Sequence, residues 1–224
     1  IDISRLPLDD EAVFRLLTKG ETTAVFQLES RGMKELIKRL VPNCFEDIIA
    51  LVALFRPGPL QSGMVDDFID RKHGREKVVY SHPELEPVLA NTYGVILYQE
   101  QVMKIAQVLA SYTLGGADIL RKAMGKKKAS VMKAEHEKFN KGALAKGYTE
   151  DQANTVFKLM EPFAGYGFNK AHAVSYAYIA YWTAYFKANY PTEYIAAVLD
   201  SASGNPEKVG MAIREAGRLH IAVK

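Results

Sequence analysis

Cysteine is almost absent from this sequence of 224 residues, in which Cys44 is the only one. A single cysteine excludes an intramolecular disulfide and suits a reducing cytosol. No Cys/His cluster with zinc spacing is present, and neither a P-loop nor a G-x-S-x-G motif occurs. The longest uncharged aromatic-rich run, residues 173–186, is too short to cross a bilayer. These absences argue against zinc, P-loop, serine-hydrolase and membrane-spanning proteins.

Carboxylates that would hold a metal are few. Asp66, Asp67 and Asp70 lie in one short stretch, and Asp66 and Asp70 share a helix face at i and i+4. This spacing would allow the two carboxylates to bind a metal ion together. The neighbouring sequence, however, is not rich in glycine and has no other feature of a substrate site. A solvated helix face is the favoured interpretation, and the sequence predicts no metal site of its own.

Positive charge is concentrated in one segment. The net charge is only +3, yet residues 121–146 contain nine Lys or Arg residues against two Glu. A basic segment in an otherwise mildly acidic chain indicates an anionic partner. A solvated helix face is the alternative, and for a charge run alone it is favoured. One function consistent with this pattern is that of a basic helical interaction module, which binds DNA or an acidic protein without a nucleotide pocket.

Helical patterns dominate the chain and predict a mainly α fold with two or three short strands. The predicted strands include residues 22–28 (TTAVFQL) and 93–99 (YGVILYQ), which are rich in β-branched and aromatic residues. The segment RPGPL at 56–60 has the composition of a turn. Residues 170–189 form an apolar, aromatic helix, which we expect to be buried.

Capping signals predict the ends of several helices. We expect Asp9 to begin the first helix, and Asn43 with Glu46 to form a capping box. TEDQ at 149–152 is a second capping box, and NPEK at 205–208 begins the last helix. Gly125 has the position of a C′ glycine.

The start of the chain lacks Met, and its end is an apolar run typical of a beginning strand. We therefore expect a segment of a longer protein. Its predicted domains are 1–204 and 205–224, the second being the truncated start of a following segment.

The start of the aromatic helix is a candidate anion site. Asn169 is a natural N-cap, which places Lys170 at N1 and His172 at N3. The positive end of a helix dipole is unfavourable for a lysine. An anion bound between the lysine ammonium and the helix start would explain its presence. Tyr166 and Phe168 are suited to stack on a base or a sugar. A capped core helix whose lysine reaches water has similar weight.

A second cationic group lies at 120–128. Arg121 and Lys122 lie on a helix in which Asp118 is placed to pair with either at i+3 or i+4. Arg56, beside the predicted turn, is a further cation, although a lone arginine there is more often structural. Together the cations fit a polyphosphate or a nucleic-acid backbone. Three lysines follow the helix: Lys126, Lys127 and Lys128.

Five motifs carry a resemblance that covers nearly the whole chain in order. They are TAVFQLESRGM (23–33), FEDIIALVALFRPGPLQSGM (45–64), TYGVILYQEQVM (92–103), GGADILRKAMGKKK (115–128) and FAGYGFNKAHAVSYA (163–177). The chain resembles the bacterial replicative DNA polymerases of family C, the family of the DNA polymerase III α subunit. Within that family it is similar to the fingers domain.

The resemblance implies a DNA-directed DNA polymerase in the bacterial cytoplasm. The implied reaction is transfer of a deoxynucleotide to a primer 3′-hydroxyl by two Mg²⁺ ions, which a neighbouring palm domain holds on its aspartates. These aspartates precede this chain, so we expect the isolated chain to be inactive. The implied partners are template-primer DNA, the deoxynucleoside triphosphate, the palm domain and, through other domains, replisome subunits such as the sliding clamp.

The resemblance also assigns roles to residues. Arg121 and Lys122 are implied to contact the triphosphate, where the family usually has two arginines; lysine keeps the charge without the bidentate fork. Lys170 and His172 are implied to lie beside the incoming nucleotide, with His172 near the sugar 2′ position. Ala171 stands where the family usually has serine.

Tyr166, Phe168, Asn169 and Arg56 complete the predicted nucleotide site, and Lys126, Lys127 and Lys128 form the predicted DNA contact. Four aromatic residues farther along the helix are predicted to be core rather than ligand contacts: Tyr178, Tyr181, Trp182 and Tyr185.

Overall fold

The computed structural model describes residues 1–126, 129–161 and 167–223, without the side chains of residues 126 and 129. Over these residues the chain forms thirteen α-helices, and in this part of the chain no β-strand is formed. The helices are α1 (Glu11–Thr18), α2 (Arg31–Leu40), α3 (Phe45–Leu54), α4 (Pro57–Gln61), α5 (Met64–Lys72), α6 (Glu86–Leu89), α7 (Gln99–Ala110), α8 (Leu114–Lys126), α9 (Ala129–Ala145), α10 (Glu150–Met160), α11 (Lys170–Asn189), α12 (Pro191–Ser201) and α13 (Pro206–Arg218). The predicted mainly α class is confirmed.

The predicted strand at 22–28 is wrong, because this segment folds into consecutive turns. The N–H of Val25 donates to Thr22 O, and that of Leu28 to Val25 O. Ala24 and Gln27 adopt positive φ angles of 61° and 62°, which a strand does not allow. Val25 and Leu28 are buried, so the apolar residues that suggested a strand serve a compact turn.

The predicted strand at 93–99 is also wrong. Its only ladder contact in the described residues is an isolated parallel bridge between Tyr98 and Phe168. The N–H groups of Leu97 and Tyr98 donate to Gln101 Oε1, at 2.8 and 2.9 Å. A side chain from the next helix therefore satisfies the backbone that a neighbouring strand would have paired.

Several predicted helix ends differ from the observed ones. Asp10, not Asp9, caps α1, with its carboxylate accepting the N–H of Val13. The RPGPL segment is not a simple turn, because its Pro57 begins the short helix α4. Proline is favoured at this position, where its missing N–H is not needed.

The predicted end of α8 at Gly125 and the capping box at Asn43 are wrong as well. The helix continues through Gly125 to Lys126. Helix α3 begins at Phe45, and the carboxylate of Asp47 rather than that of Glu46 accepts the Asn43 N–H at 2.9 Å. The capping box predicted from TEDQ is confirmed, with Thr149 and Gln152 as its two members. The helix start predicted from NPEK is also confirmed, because Asn205 caps α13.

The chain divides into two compact units, and both boundaries fall within helices. The first unit contains Ile1–Val52 and Val174–Lys224, and the second contains Ala53–Ala173. Helix α13 belongs to the first unit. The domain boundary proposed at residue 204 stays a prediction.

In the first unit, one face of α11 is buried, and most of that face is alanine. Tyr181 is fully buried, and its hydroxyl donates to Pro7 O and accepts the N–H of Asp10. Tyr178, Trp182 and Tyr185 are only partly buried. The aromatic helix is therefore less deeply buried than its composition suggested, because small residues form its inner face.

A buried ion pair lies near the end of α11 in the same unit. The Lys187 ammonium is fully buried and donates to Glu21 O, Thr23 O and Glu215 Oε1, at 2.7, 2.7 and 2.6 Å. Glu215 also accepts from Arg218. Three acceptors match the three hydrogens of the ammonium group, which is the condition for burying such a charge.

The second unit is built around α7, which packs against α8 and α9. Its core includes Ile105 of α7, Leu120 of α8 and Phe157 of α10. Gly142 of α9 lies so close to α7 that a Cβ there would meet Ala110 O at 2.2 Å. Only glycine fits at that position without a shift of backbone. Within the described residues, no helix is both long enough and apolar enough to cross a membrane.

Candidate functional site

The candidate site lies within the second unit and is organised by the first turn of α7. Gln99 and Glu100 are the first two residues of this helix and are partly buried. Gln101 fixes the turn, because its Oε1 accepts two backbone N–H groups and its Nε2 donates to Thr92 Oγ1 at 2.7 Å. The side chains of Gln99 and Glu100 are thereby held in defined directions.

Gln99 links the cationic helix α8 to the segment before α11. Its Oε1 accepts a hydrogen bond from Arg121 Nη1 at 3.2 Å. Its Nε2 donates to Gly167 O at 2.9 Å, and its backbone N–H donates to Phe168 O at 2.9 Å. One side chain therefore bonds both of the segments in which the sequence predicted phosphate contacts.

Arg121 and Lys122 share a single carboxylate, that of Asp118. Two guanidinium nitrogens of Arg121 donate to Asp118 Oδ1, at 3.0 and 2.7 Å, and Lys122 Nζ lies 2.6 Å from Asp118 Oδ2. The hydrogen bond from Lys122, together with that from Arg121, lowers the pKa of Asp118. The Arg121 side chain is 24% exposed and that of Lys122 is 59% exposed. Both cations are at least partly exposed, and the single carboxylate of Asp118 leaves the group with an excess of positive charge.

The first turn of α11 begins as the sequence predicted. Asn169 Oδ1 accepts the backbone N–H of His172 at 2.8 Å, so Asn169 is the N-cap. Lys170 is the first residue of the helix and is partly buried, with its ammonium 5.5 Å from the centre of the Tyr98 ring. His172 is exposed and makes an edge-to-face contact with Phe168.

An anion lies at this helix start, and it belongs to the chain itself. The backbone N–H of Lys170 donates to both carboxylate oxygens of Glu100, at 3.1 and 2.9 Å. Asn169 Nδ2 donates to Glu100 Oε1 at 3.0 Å. Sequence reasoning missed Gln99 and Glu100, although two adjacent polar residues directly after an apolar run were a usable signal.

Arg56 joins the site through an aromatic ring. Its Cζ lies 3.5 Å from the centre of the Phe168 ring, a stacked cation–π contact. Partial burial lowers the pKa of Arg56, although an arginine stays charged at neutral pH. One face of Phe168 is thus covered by a cation, and His172 contacts the same ring in an edge-to-face arrangement.

Some predicted residues fall outside the described part of the chain. These are Tyr166, Lys127 and Lys128, while the backbone of Lys126 forms the last residue of α8. Their predicted contacts stay predictions.

Over residues 1–126, 129–161 and 167–223, no group of three His, Cys, Asp or Glu side chains is arranged to hold a metal ion. The aspartates considered from the sequence have other partners. Asp70 bonds Arg75 Nε at 2.7 Å, and Arg71 lies 3.9 Å from Asp67.

Comparison with known proteins identifies the class of this domain. A model of the bacterial DNA polymerase III alpha subunit finger domain matches residues 1–147. The chain therefore belongs to that family of finger domains. The match includes Arg56, Gln99, Glu100 and Arg121 and ends before α11.

Individual relatives extend the similarity over α11. The DNA polymerase III subunit alpha of Escherichia coli strain K12 is 58% identical over 228 residues, which covers the whole chain and 20% of that protein. Those of Pasteurella multocida and Haemophilus influenzae are 62% and 60% identical, each over 93% of this chain and 18% of the relative. The chain spans about a fifth of the length of these curated relatives.

Proposed function

We propose that this finger domain binds the incoming deoxynucleoside triphosphate and template-primer DNA in a bacterial replicative DNA polymerase. The reaction is Mg²⁺-dependent nucleotidyl transfer, with the metal-binding aspartates on a palm domain outside this chain. The proposed phosphate contacts are the side chains of Arg121, Lys122 and Lys170. The family membership supports the role as a whole, and the local geometry supports the choice of residues.

One observation carries the choice of residues. Gln99 and Glu100 are adjacent in the chain; the first bonds Arg121, and the second bonds the backbone of Lys170. Residues that are far apart in sequence therefore meet at one turn. A basic stripe that served only as a polyelectrolyte surface would need a single helix and no such convergence.

The charges of the site suit a polyanion. Four cationic side chains (Arg56, Arg121, Lys122 and Lys170) accompany two carboxylates (Asp118 and Glu100). The excess of positive charge would attract a triphosphate, whose oxygens accept charge-assisted hydrogen bonds from these side chains.

Among these cations, Arg121 has the most pre-organised side chain. Asp118 and Gln99 hold its planar guanidinium from two sides, so little side-chain entropy is lost when it meets a phosphate. Fixed positive charge close to the leaving pyrophosphate stabilises the transition state of phosphoryl transfer. Lys122 acts as a more mobile point charge, because it is attached to the same carboxylate but is more exposed.

His172 and Phe168 are proposed to border the nucleotide. His172 is exposed beside Phe168, where an imidazole would crowd a 2′-hydroxyl and select deoxyribonucleotides. Since Arg56 covers one face of Phe168, any base that stacks on this ring would use the other face. The lysines at 126–128 are proposed to contact the DNA backbone, which would make binding fall steeply with salt.

The test is primer extension by the full-length polymerase subunit that carries this chain. Arg121→Ala is expected to lower kcat/KM for the nucleotide roughly 10- to 100-fold, the value of a charged hydrogen bond. Lys77→Ala is the matched control, because Lys77 is an exposed lysine of the same unit outside the site. Wild-type nucleotide kinetics in Arg121→Ala, with weakened DNA binding, would favour the simple basic module instead.

A second experiment concerns the isolated chain. With Mg²⁺, primer and nucleotides present, we expect no extension by residues 1–224 alone. Extension at any measurable rate would contradict the proposal that the catalytic aspartates lie elsewhere.

A further inference from the structure

The first turn of α11 already holds a negative charge. The Glu100 carboxylate receives the Lys170 N–H on both oxygens, within 3.1 Å, and the Asn169 amide on one. Free N–H groups at a helix start are the usual docking place of a phosphate. Here a side chain from α7 occupies that place.

This arrangement has a consequence for how phosphate is bound. While Glu100 is in place, a phosphate at the backbone of α11 would meet a carboxylate at contact distance, which is unfavourable. The Lys170 side chain is directed elsewhere, toward the ring of Tyr98. A phosphate would therefore contact cationic side chains of the site rather than the backbone N–H groups at the start of α11.

Glu100 also sets the position of the cations. It fixes the helix start that bears Lys170 and His172, while its neighbour Gln99 bonds Arg121. A shift of this one turn would move both cationic segments relative to each other.

We propose that Glu100 is a positioning residue of the nucleotide site, an internal anion that closes the start of α11 to free phosphate-like ions and aligns Lys170 with Arg121. This inference rests on the proposed function. It assigns to Glu100 no contact with the nucleotide and no proton transfer.

The experiment uses the full-length polymerase subunit with Glu100→Gln, Glu100→Ala and the control Glu150→Gln. Like Glu100, Glu150 is an acidic residue in the first turn of a helix of the same unit, here α10, but it is exposed and lies outside the site. Steady-state primer extension gives kcat and the nucleotide KM. Inhibition by sulfate is measured at constant ionic strength maintained with chloride.

We expect Glu100→Ala to raise the nucleotide KM roughly 3- to 30-fold, comparable to the loss of a hydrogen bond to a charged group, since the bonds that hold the start of α11 are removed. Sulfate should become a competitive inhibitor, because the vacated helix start accepts it. Glu100→Gln keeps the side-chain volume and one acceptor but loses the charge. It should therefore fold normally, show a smaller rise in KM, and still gain sulfate inhibition. A cap that only stabilises the fold would give no sulfate effect.

Two outcomes overturn the inference. The first is that Glu100→Gln and Glu100→Ala match Glu150→Gln in KM and in sulfate response. The second is a raised KM without competitive sulfate inhibition in either variant. Arg121→Ala in the same assay separates the two proposals: if it raises KM while the Glu100 variants do not, only the inference fails. If it leaves the nucleotide kinetics unchanged, the proposed function fails.

Discussion

Lys170 and Lys187 lie in the first and last turns of the same helix, α11, and their ammonium groups have different surroundings. Lys187 is fully buried and donates to three oxygen atoms, so its bonding capacity is filled. Lys170 is only partly buried, and its ammonium lies over an aromatic ring. The comparison shows that a lysine in an apolar helix serves the fold where its hydrogen bonds are satisfied internally. A lysine such as Lys170, whose ammonium contacts an aromatic ring in the described part of the chain, is a candidate for binding a ligand.

The largest expected effect comes from Lys187. Lys187→Met should lower the free energy of unfolding by about 3–5 kcal/mol, because Glu215 then keeps a buried charge with one partner fewer. Urea unfolding followed by circular dichroism measures this loss. Lys208→Met, at an exposed position of α13, is the control and should change stability by less than about 0.5 kcal/mol. Equal stability of the two variants would contradict the structural role given to Lys187.

Lys170→Ala should show the opposite pattern. We expect the free energy of unfolding to change by less than about 1 kcal/mol. In the full-length polymerase, kcat/KM for the nucleotide should fall about tenfold, corresponding to one charge-assisted hydrogen bond. Primer extension at varied nucleotide concentration is the measurement. Unchanged kinetics would show that Lys170 is not part of the proposed site. The functional difference drawn between Lys170 and Lys187 would then be wrong.

Acid provides a third way to probe the buried end of α11. Burial alone would raise the pKa of Glu215, but hydrogen bonds from Arg218 and Lys187 outweigh it, and the net effect is a pKa below the usual 4.5. A carboxyl whose pKa is lower in the folded state stabilises the fold above about pH 4.5, and this stabilisation is lost as the pH falls below it. Glu215→Gln should flatten that part of the stability profile, measured by urea unfolding between about pH 6 and pH 3. An unchanged slope would contradict the role of this ion pair.

The smallest expected effect concerns Arg56, which stacks on Phe168 near the start of α11. Arg56→Lys keeps the charge but loses the planar group that lies 3.5 Å from the ring centre. We expect a loss of about 0.5–1 kcal/mol in nucleotide binding or in stability. Titration calorimetry of the full-length subunit with nucleotide, beside Arg56→Met, separates the stacking from the charge. A larger loss in Arg56→Lys than in Arg56→Met would contradict this account.

Much of the fold was predictable from local patterns. The limits of α11, the capping box of α10 and the start of α13 follow from signals that lie within a few residues of each other. The two predicted strands failed for one reason. Apolar residues at 25 and 28, and the run before Gln99, are buried through turns and side-chain caps that alternation of residue types does not reveal.

The candidate site was predictable in its cations but not in its connections. The sequence pointed to Asp118 as the partner of Arg121 or Lys122, and the structure shows that it binds both. The contact between Glu100 and Lys170 joins segments that are 70 positions apart. No local rule predicts such a pairing, because it depends on how α7 is placed by the core beneath it.

The position of α9 against α7 depends on the missing Cβ atom of Gly142. The chain leaves no room for a methyl group between α9 and the carbonyl of Ala110 at the end of α7. The helix that carries much of the basic segment and the helix whose first turn arranges the site are therefore in backbone contact. A side chain at position 142 would collide with the backbone of Ala110 and push α9, with the lysines it carries, away from α7.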